Sequence, residues 1–423
     1  HFCHFPYLIK NDSDPFFPLF PFFRKKVLKI MIRKLPIIGH PLTLRTVGYG
    51  ALHGFDAECK DLFRQFLAVY SGAPYVFLLN SVIDSFYSIL EALKKASSRN
   101  EVLLPCYTAP SLVVAIQKAR LKPVLCDISL TDFNADTDDA LKRVNANTLC
   151  IVGVHMFGIP WAGIVDLKKK VGNEVFIIED CAQAFGAKIE GLPVGSFSDI
   201  AFYSFNRGKN LPTYDGGCVI THSHALAGKL EEIVSFISPP SILQRASLAL
   251  KLSALCFSFN PFFYSMLYPL IMRFKDNSVP ADFKVQRYST FQAAVGYSLL
   301  KNAARAFSLR YENGRKLLRS LQGISEIILP QIAKDIYPVF NRMPIIIKDQ
   351  GKVMKIMQRL LRAGIESSKL YLKPLHHIFD LGYKKDDFPN AVYFAERLLT
   401  LPVHPLVTRK DIEKIADVVK SCL

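Results

Sequence analysis

Apolar positions along the chain follow two periods in alternation. From Asp56 onward Phe63, Phe66, Leu67 and Tyr70 recur at helical spacing and predict an amphipathic helix. Tyr75 to Leu79 is a short continuous apolar run, the signature of a buried strand, and Asp84 to Lys95 is again helical. The same alternation continues with a strand over Glu101–Leu104, a helix over Ser111–Ala119 and a strand over Pro123–Cys126. Thr148–Val154 is the next strand, Gly163–Val171 the next helix and Val175–Ile178 the next strand, with a final helix over Ala225–Ile237. Strands alternating with helices at this spacing predict a largely parallel sheet with crossover helices, because parallel neighbours need a long connection. Polar residues that close such strands collect on one edge of the sheet, where α/β proteins place their ligands. Asp127, His155 and Asp180 all stand at strand ends.

Two stretches break the alternation. Residues 1–45 read as an arm: Asp14 to Phe23 is aromatic and broken by proline, and Arg24-Lys25-Lys26 opens a basic apolar segment to Lys34. Leu252 to Met272 carries no charged residue over 21 positions, between Lys251 and Arg273, which is long enough to span a bilayer. Pro261 and Pro269 interrupt it, so a shallow hairpin on a membrane or an element buried in a dimer suits it better than a span. The sequence thus divides into an arm (1–45), a large domain (46–245), a hydrophobic insert (246–282) and a C-terminal domain (283–423). The 423 residues hold 53 basic and 36 acidic side chains, a formal charge of +17, and half are hydrophobic. That balance favours polyanions such as anionic lipid or sugar-nucleotide phosphates. No nucleic-acid recognition motif accompanies the charge, and no dinucleotide or P-loop glycine signature is present. Nine cysteines occur without paired or metal-ligand spacing, as expected of free thiols in a reducing cytoplasm and of a protein without a metal. No typical signal peptide precedes the arm, so the location expected is cytoplasmic, at the inner face of the membrane if the insert meets lipid.

The candidate chemistry lies in Phe202–Gly217, where an aromatic strand-like run leads to Gly208-Lys209-Asn210-Leu211 and then to Asp215-Gly216-Gly217. A lysine in a loop just past a buried strand can lose its proton and act as a nucleophile. About thirty residues upstream, the strand Ile177-Ile178-Glu179-Asp180 delivers an aspartate to its C-terminal end. Lysine and aspartate together suggest pyridoxal phosphate, which takes a lysine on its carbonyl carbon and a carboxylate on its ring nitrogen. The segment Glu179–Gly217 resembles the sugar aminotransferases called DegT/DnrJ/EryC1/StrS, through E-D-x-A-Q-x-x-G followed by S-F-x-x-x-K-N-L and an acidic G-G. Similarity covers roughly residues 60–240 and 283–423.

The resemblance implies an α/β fold of the aspartate-aminotransferase type: a large domain with a mostly parallel seven-stranded sheet flanked by helices, plus a smaller α+β C-terminal domain. It implies that Lys209 is the cofactor lysine and the acid/base of the proton shift, that Asp180 pairs with the ring nitrogen, that Gln183 faces the ring or its phenolic oxygen and that Ser204 binds the phosphate. Departures are visible. Ser81-Val82-Ile83 stands where the family has Ser-Gly-Thr at the phosphate, Ala109 stands at the ring-stacking position with Tyr107 nearby as a replacement, and Val285 stands where a partner subunit offers asparagine, with Lys284 and Arg287 close by. His155 is expected to shape a strand end. The implied activity is transfer of an amino group, with glutamate as donor, to a nucleotide-linked keto-sugar in aminosugar or surface-polysaccharide synthesis by a homodimer. Two alternatives stand beside it: a degenerate, membrane-associated relative without activity, and a pyridoxamine phosphate-dependent sugar dehydratase, a branch that has histidine at the lysine position.

Overall fold

The computed structural model of the chain describes residues 33–273 and 282–423. Its centre is a seven-stranded sheet in the spatial order Tyr75–Leu79, Gly217–Thr221, Ile200–Ser204, Phe176–Asp180, Thr148–Val154, Glu101–Pro105, Lys122–Cys126. Only Gly217–Thr221 runs against its neighbours, and it does so on both sides. The α/β class and seven strands expected from the sequence are therefore present. The predicted elements reappear with ends shifted by a residue or two; Asp56 caps the first predicted helix, which runs Ala57–Ser71.

Six parallel strands place their C-terminal ends on one edge, and pairing sets their register. Val154 lies opposite Asp180, Asp180 opposite Phe202, and Ser204 opposite Gly217, which in turn faces Leu79. Both faces of the sheet are covered, as a parallel sheet requires. One core contains Leu79, Val102, Leu104, Val152, Ile178 and Phe202 with the helix Val82–Lys94, whose Phe86, Ile89, Leu90 and Leu93 are fully buried. Each such side chain contributes about 2 kcal/mol through removal of apolar surface from water. The other core packs Leu78, Leu103, Ile151, Ile177 and Tyr203 against helices that include Ala57–Ser71 and Thr290–Leu300.

The C-terminal domain is a three-stranded antiparallel sheet, Ile327–Ile328, Met343–Ile347 and Leu398–Leu401, with helices Ala303–Leu321, Gln350–Arg362, Pro389–Arg397 and Arg409–Lys420. A short strand, Ile336–Tyr337, ties it back to the hairpin Lys188–Ile189/Leu192–Pro193 of the large domain. Residues 33–42, the end of the expected arm, lie on the C-terminal domain: Leu35 bridges Ile365, and His404 Nε2 meets the Pro36 carbonyl at 2.9 Å. The part of the arm before Arg33 lies outside the described residues. The uncharged run folds as two helices, Ile242–Phe259 and Pro261–Arg273, parted at Asn260, where Pro261 cannot donate the next helical hydrogen bond. All eight described cysteines are free, and seven of them are buried.

Candidate active site

Lys209 sits at the tip of a closed loop, 205–216. Backbone bonds lace it: Phe205 N–H to Gly216 O, Thr213 N–H to Phe205 O, Arg207 N–H to Tyr214 O and Lys209 N–H to Asn206 O. Asn206 Nδ2 donates to Asp215 Oδ1 at 2.8 Å across the neck. The loop returns through Gly216 at φ +145°, where a Cβ would lie 2.4 Å from the Tyr288 ring, so the acidic Gly-Gly has a steric cause.

Asn210, next to the lysine, is the anchor. Its buried Nδ2 reaches the carbonyls of Gln183, Phe185 and Val339 at 3.4, 3.0 and 3.1 Å. From the C-terminal domain Asn341 Nδ2 donates to Gly208 O at 2.8 Å. The same segment pairs with the turn after Thr148–Val154, through Val339 N–H to Gly158 O and Asn341 N–H to Phe157 O. Gly158, at φ +82°, has no room for a Cβ, which would fall 2.1 Å from the Val339 carbonyl. The lysine is thus held between two domains by backbone carbonyls and two asparagine side chains.

Asp180 ends its strand buried, with Oδ1 accepting the Ala182 N–H at 2.9 Å. Burial raises its carboxyl above the usual range, opposed by that hydrogen bond and by the nearby charges of Lys209 and His155. Lys209 is displaced in the complementary sense. Loss of solvent lowers its amine to about 8; Asp180 works against the shift, and Arg342 adds to it. No hydrogen bond or ion pair of the Lys209 amine exists among the described residues, so nothing but charge holds its proton there.

The other expected residues fall as follows. Gln183 accepts the Phe157 N–H at 3.2 Å through Oε1 and points Nε2 at Met156 Sδ, so it braces the neighbouring turn. Ser204 is buried at its strand end, in the row Ser204–Gly217–Leu79 that leads to Ser81. Ser81 caps the helix Val82–Lys94, with Oγ accepting the Asp84 N–H at 3.1 Å; Ile83 packs on the core beside it. Asp84 turns away to accept the Gln286 N–H, and burial pushes its carboxyl up to about 6. Ala109 precedes the helix Pro110–Lys118 and carries no ring.

Tyr107 is committed elsewhere. Its hydroxyl lies 3.0 Å from the carbonyls of Lys369 and Tyr371, and its ring meets Phe394 edge-on at 4.8 Å. Arg287 likewise spends its guanidinium on the carbonyls of Val234 and Ser235, at the end of helix His224–Ser235 in its own subunit. Lys284 and Val285 lie nearby, Val285 partly buried on the core. His155 is braced at both nitrogens, by Glu179 Oε2 at 2.9 Å and the Trp161 N–H at 2.9 Å, which suits a strand-end strut.

Sequence reading missed Arg342 and Tyr371, which the C-terminal domain brings to the pair. Arg342 lies close enough to depress the Lys209 amine, and its Nη1 donates to Ser368 Oγ at 3.0 Å while Nε is buried without a partner. Burial lowers its own affinity for a proton, and the nearby Tyr371, Glu366 and Tyr107 partly restore it. Tyr371 feels the Asp180 charge, and burial raises its phenol. The only signal in the sequence was a charged residue beside an apolar strand, which is common on surfaces.

An amine of lowered basicity beside a buried carboxylate at the strand ends is the donor set that a pyridoxal ring needs, so the residues fit that cofactor. The sequence model of the DegT/DnrJ/EryC1/StrS aminotransferase family matches residues 57–420. The chain belongs to that family. The match continues through 246–282, which the resemblance read from the sequence had left out. The chain is 26% identical over 366 residues to the UDP-N-acetyl-3-dehydro-alpha-D-glucosamine 3-aminotransferase of Acidithiobacillus ferrooxidans, covering 84% of this chain and 86% of that one. It is 27% identical over 369 residues to the uncharacterized protein MJ1066 of Methanocaldococcus jannaschii, covering 86% and 88%. Among solved structures, the sugar aminotransferase CalS13 of Micromonospora echinospora shares the fold with a TM-score of 0.73 at 20% identity, over 92% of this chain and 99% of that one. DegT/DnrJ/EryC1/StrS enzymes are pyridoxal phosphate-dependent aminotransferases, and this chain is one of them.

Proposed function

We propose that the chain transfers an amino group from an amino acid, glutamate being the donor of choice, to the keto group of a nucleotide-linked sugar, and that it works as a homodimer. The Lys209 amine, held near pH 8 beside Asp180, is the observation that carries the reading. About a tenth of the amine is neutral at pH 7 with that value, enough to attack a carbonyl carbon and to carry a proton at Nζ. Pyridoxal phosphate, when bound, supplies an electron sink for the carbon that loses its proton. Asp180 would hold the ring nitrogen and supply a compensating negative charge there. The phosphate would take the backbone N–H groups at the helix start after Ser81, with the Ser204 hydroxyl as a second donor. Asn210 and Asn341 keep the Lys209 loop closed, which fixes the amine against the strand ends and limits water.

A nucleotide-sugar substrate is supported by the relatives whose names carry one, such as the Acidithiobacillus enzyme. Assembly in pairs is supported by Lys284, which is exposed next to Val285, the position from which family members reach a partner's site; Arg287 is engaged within its own subunit. Purified protein incubated with pyridoxal phosphate should absorb at the edge of the visible, and borohydride should fix the label on the Lys209 peptide. L-glutamate should bleach that band, and a nucleotide-linked keto-sugar should restore it. Label on another lysine, or no uptake at saturating cofactor, would refute the reading. Light scattering should give twice the chain mass.

A further inference from the structure

The helical pair Ile242–Phe259 and Pro261–Arg273 presents an apolar face that the described residues leave open. Of eighteen large apolar side chains exposed among the described residues, nine lie between Ile242 and Met272. On the first helix Leu243, Leu250 and Phe257 repeat every seven residues and form one stripe, while Leu252, Leu255 and Phe259 turn inward. On the second, Phe262, Met266 and Leu270 form a stripe at intervals of four. Phe257 and Phe263 meet edge-on at 5.3 Å and join the two. Ile242–Phe259 alone among the described helices has the length and composition to cross a bilayer, and 17% of it is buried.

Charge decides what covers this face. From Ile233 to Lys275 the sequence has no acidic residue but holds Arg245, Lys251, Arg273 and Lys275. From Pro15 to Phe55 it again has none, with Arg24, Lys25, Lys26, Lys29, Arg33, Lys34 and Arg45. The two stretches meet. The Lys34 N–H donates to Ser265 Oγ at 2.7 Å, and its amine lies 4.8 Å from the Tyr268 ring centre. Helix Leu44–His53 packs on Ile242–Phe259, and Arg245 stands 5.8 Å over the Phe55 ring. Arg33 is paired with Asp411 and the charge of Lys251 reaches Asp215, while within the two stretches themselves no acidic residue offsets the basic ones. Lys34 is therefore seated on Pro261–Arg273, which carries one of the two exposed stripes. A second copy laid on this face would oppose cations to cations, whereas an anionic surface satisfies both the charge and the apolar stripes.

We propose that this helical pair, with Lys34 seated against it, forms an in-plane docking surface for an anionic lipid bilayer. The inference stands apart from the reading of Lys209. Full-length protein is floated with phosphatidylcholine vesicles with or without about one third phosphatidylglycerol, at low and high salt. It should rise with the anionic vesicles, far less with neutral ones, and less as salt rises. Lys34→Glu with Arg273→Glu should lower the vesicle partition constant at least about fivefold per cation lost. Leu243→Ser, Leu250→Ser and Phe262→Ser together should abolish flotation while melting temperature and pyridoxal absorbance stay as in the parent. Wild type that stays at the bottom, or variants that float equally well, would overturn the proposal. So would a serine variant that turns a dimer into a monomer while wild type fails to float, because the face would then belong to a second copy.

Discussion

The Lys209 loop and the helical pair 242–273 are opposite solutions to placing a segment on one scaffold. The loop has almost no regular structure, yet it is tied to itself and to two other stretches: Asn210 donates to the carbonyls of Gln183, Phe185 and Val339, and the Gly208 carbonyl accepts from Asn341. The helices satisfy their own backbone and lean on the rest through a few side chains such as Leu252, Leu255, Phe259 and Tyr264. One segment is fixed because its buried polar groups have specific partners, and leaving any unpaired is costly. The other is held by a few apolar side chains and by polar contacts at Tyr264 and Ser265, and its apolar stripes face outward. Chemistry needs the first arrangement, since an amine must stay within reach of a carboxylate; attachment needs only the second.

Substitutions can break this contrast at either end. Lys209→Ala should lower turnover by about 10⁴-fold or more in a steady-state assay, with the secondary structure unchanged by circular dichroism. Asn210→Ala should cost about 2–3 kcal/mol in urea unfolding, because three carbonyls lose a shared donor. Cofactor uptake should also be weaker in that variant, even though Lys209 remains.

The pH dependence follows from the direction of the Lys209 shift. The amine is neutral above about 8, so the rate of pyridoxal phosphate capture by apoprotein should rise with pH up to that value and level off beyond it. Asp180→Asn removes the charge that keeps the proton on Lys209, and the midpoint should move to lower pH. A midpoint that stays in place would mean the two groups do not communicate. The smallest effect belongs to the other region: Leu270→Ser, at a side chain 54% exposed, should change unfolding free energy by about 0.5 kcal/mol or less.

Much of the architecture was legible because short apolar runs such as Thr148–Val154, set between helical patterns, read as buried strands, and register then carries Asp180 to the common edge. Lys209 and Asp180 were legible because their spacing from strand ends is local. The break at Asn260-Pro261 was legible too, since proline removes a donor wherever it stands. Tyr107 was not: next to Ala109 it reads as a spare ring, and only the approach of Tyr371 and Phe394 shows it already engaged. Arg287 was open to the same misreading until the end of helix His224–Ser235 claimed its guanidinium.

The chain by itself determined the alternation of strands and helices, the lysine–aspartate pair and the charge-free run between two cations, since each rests on neighbours in sequence. Only the tertiary structure decided that Arg342 and Tyr371 flank that pair, that Asn341 clamps the lysine loop from another domain, and that the basic arm meets the apolar helices at Ser265 and Tyr268. Those contacts join residues more than 130 positions apart, and no local period encodes which distant side chain fills a pocket; packing of the two domains does.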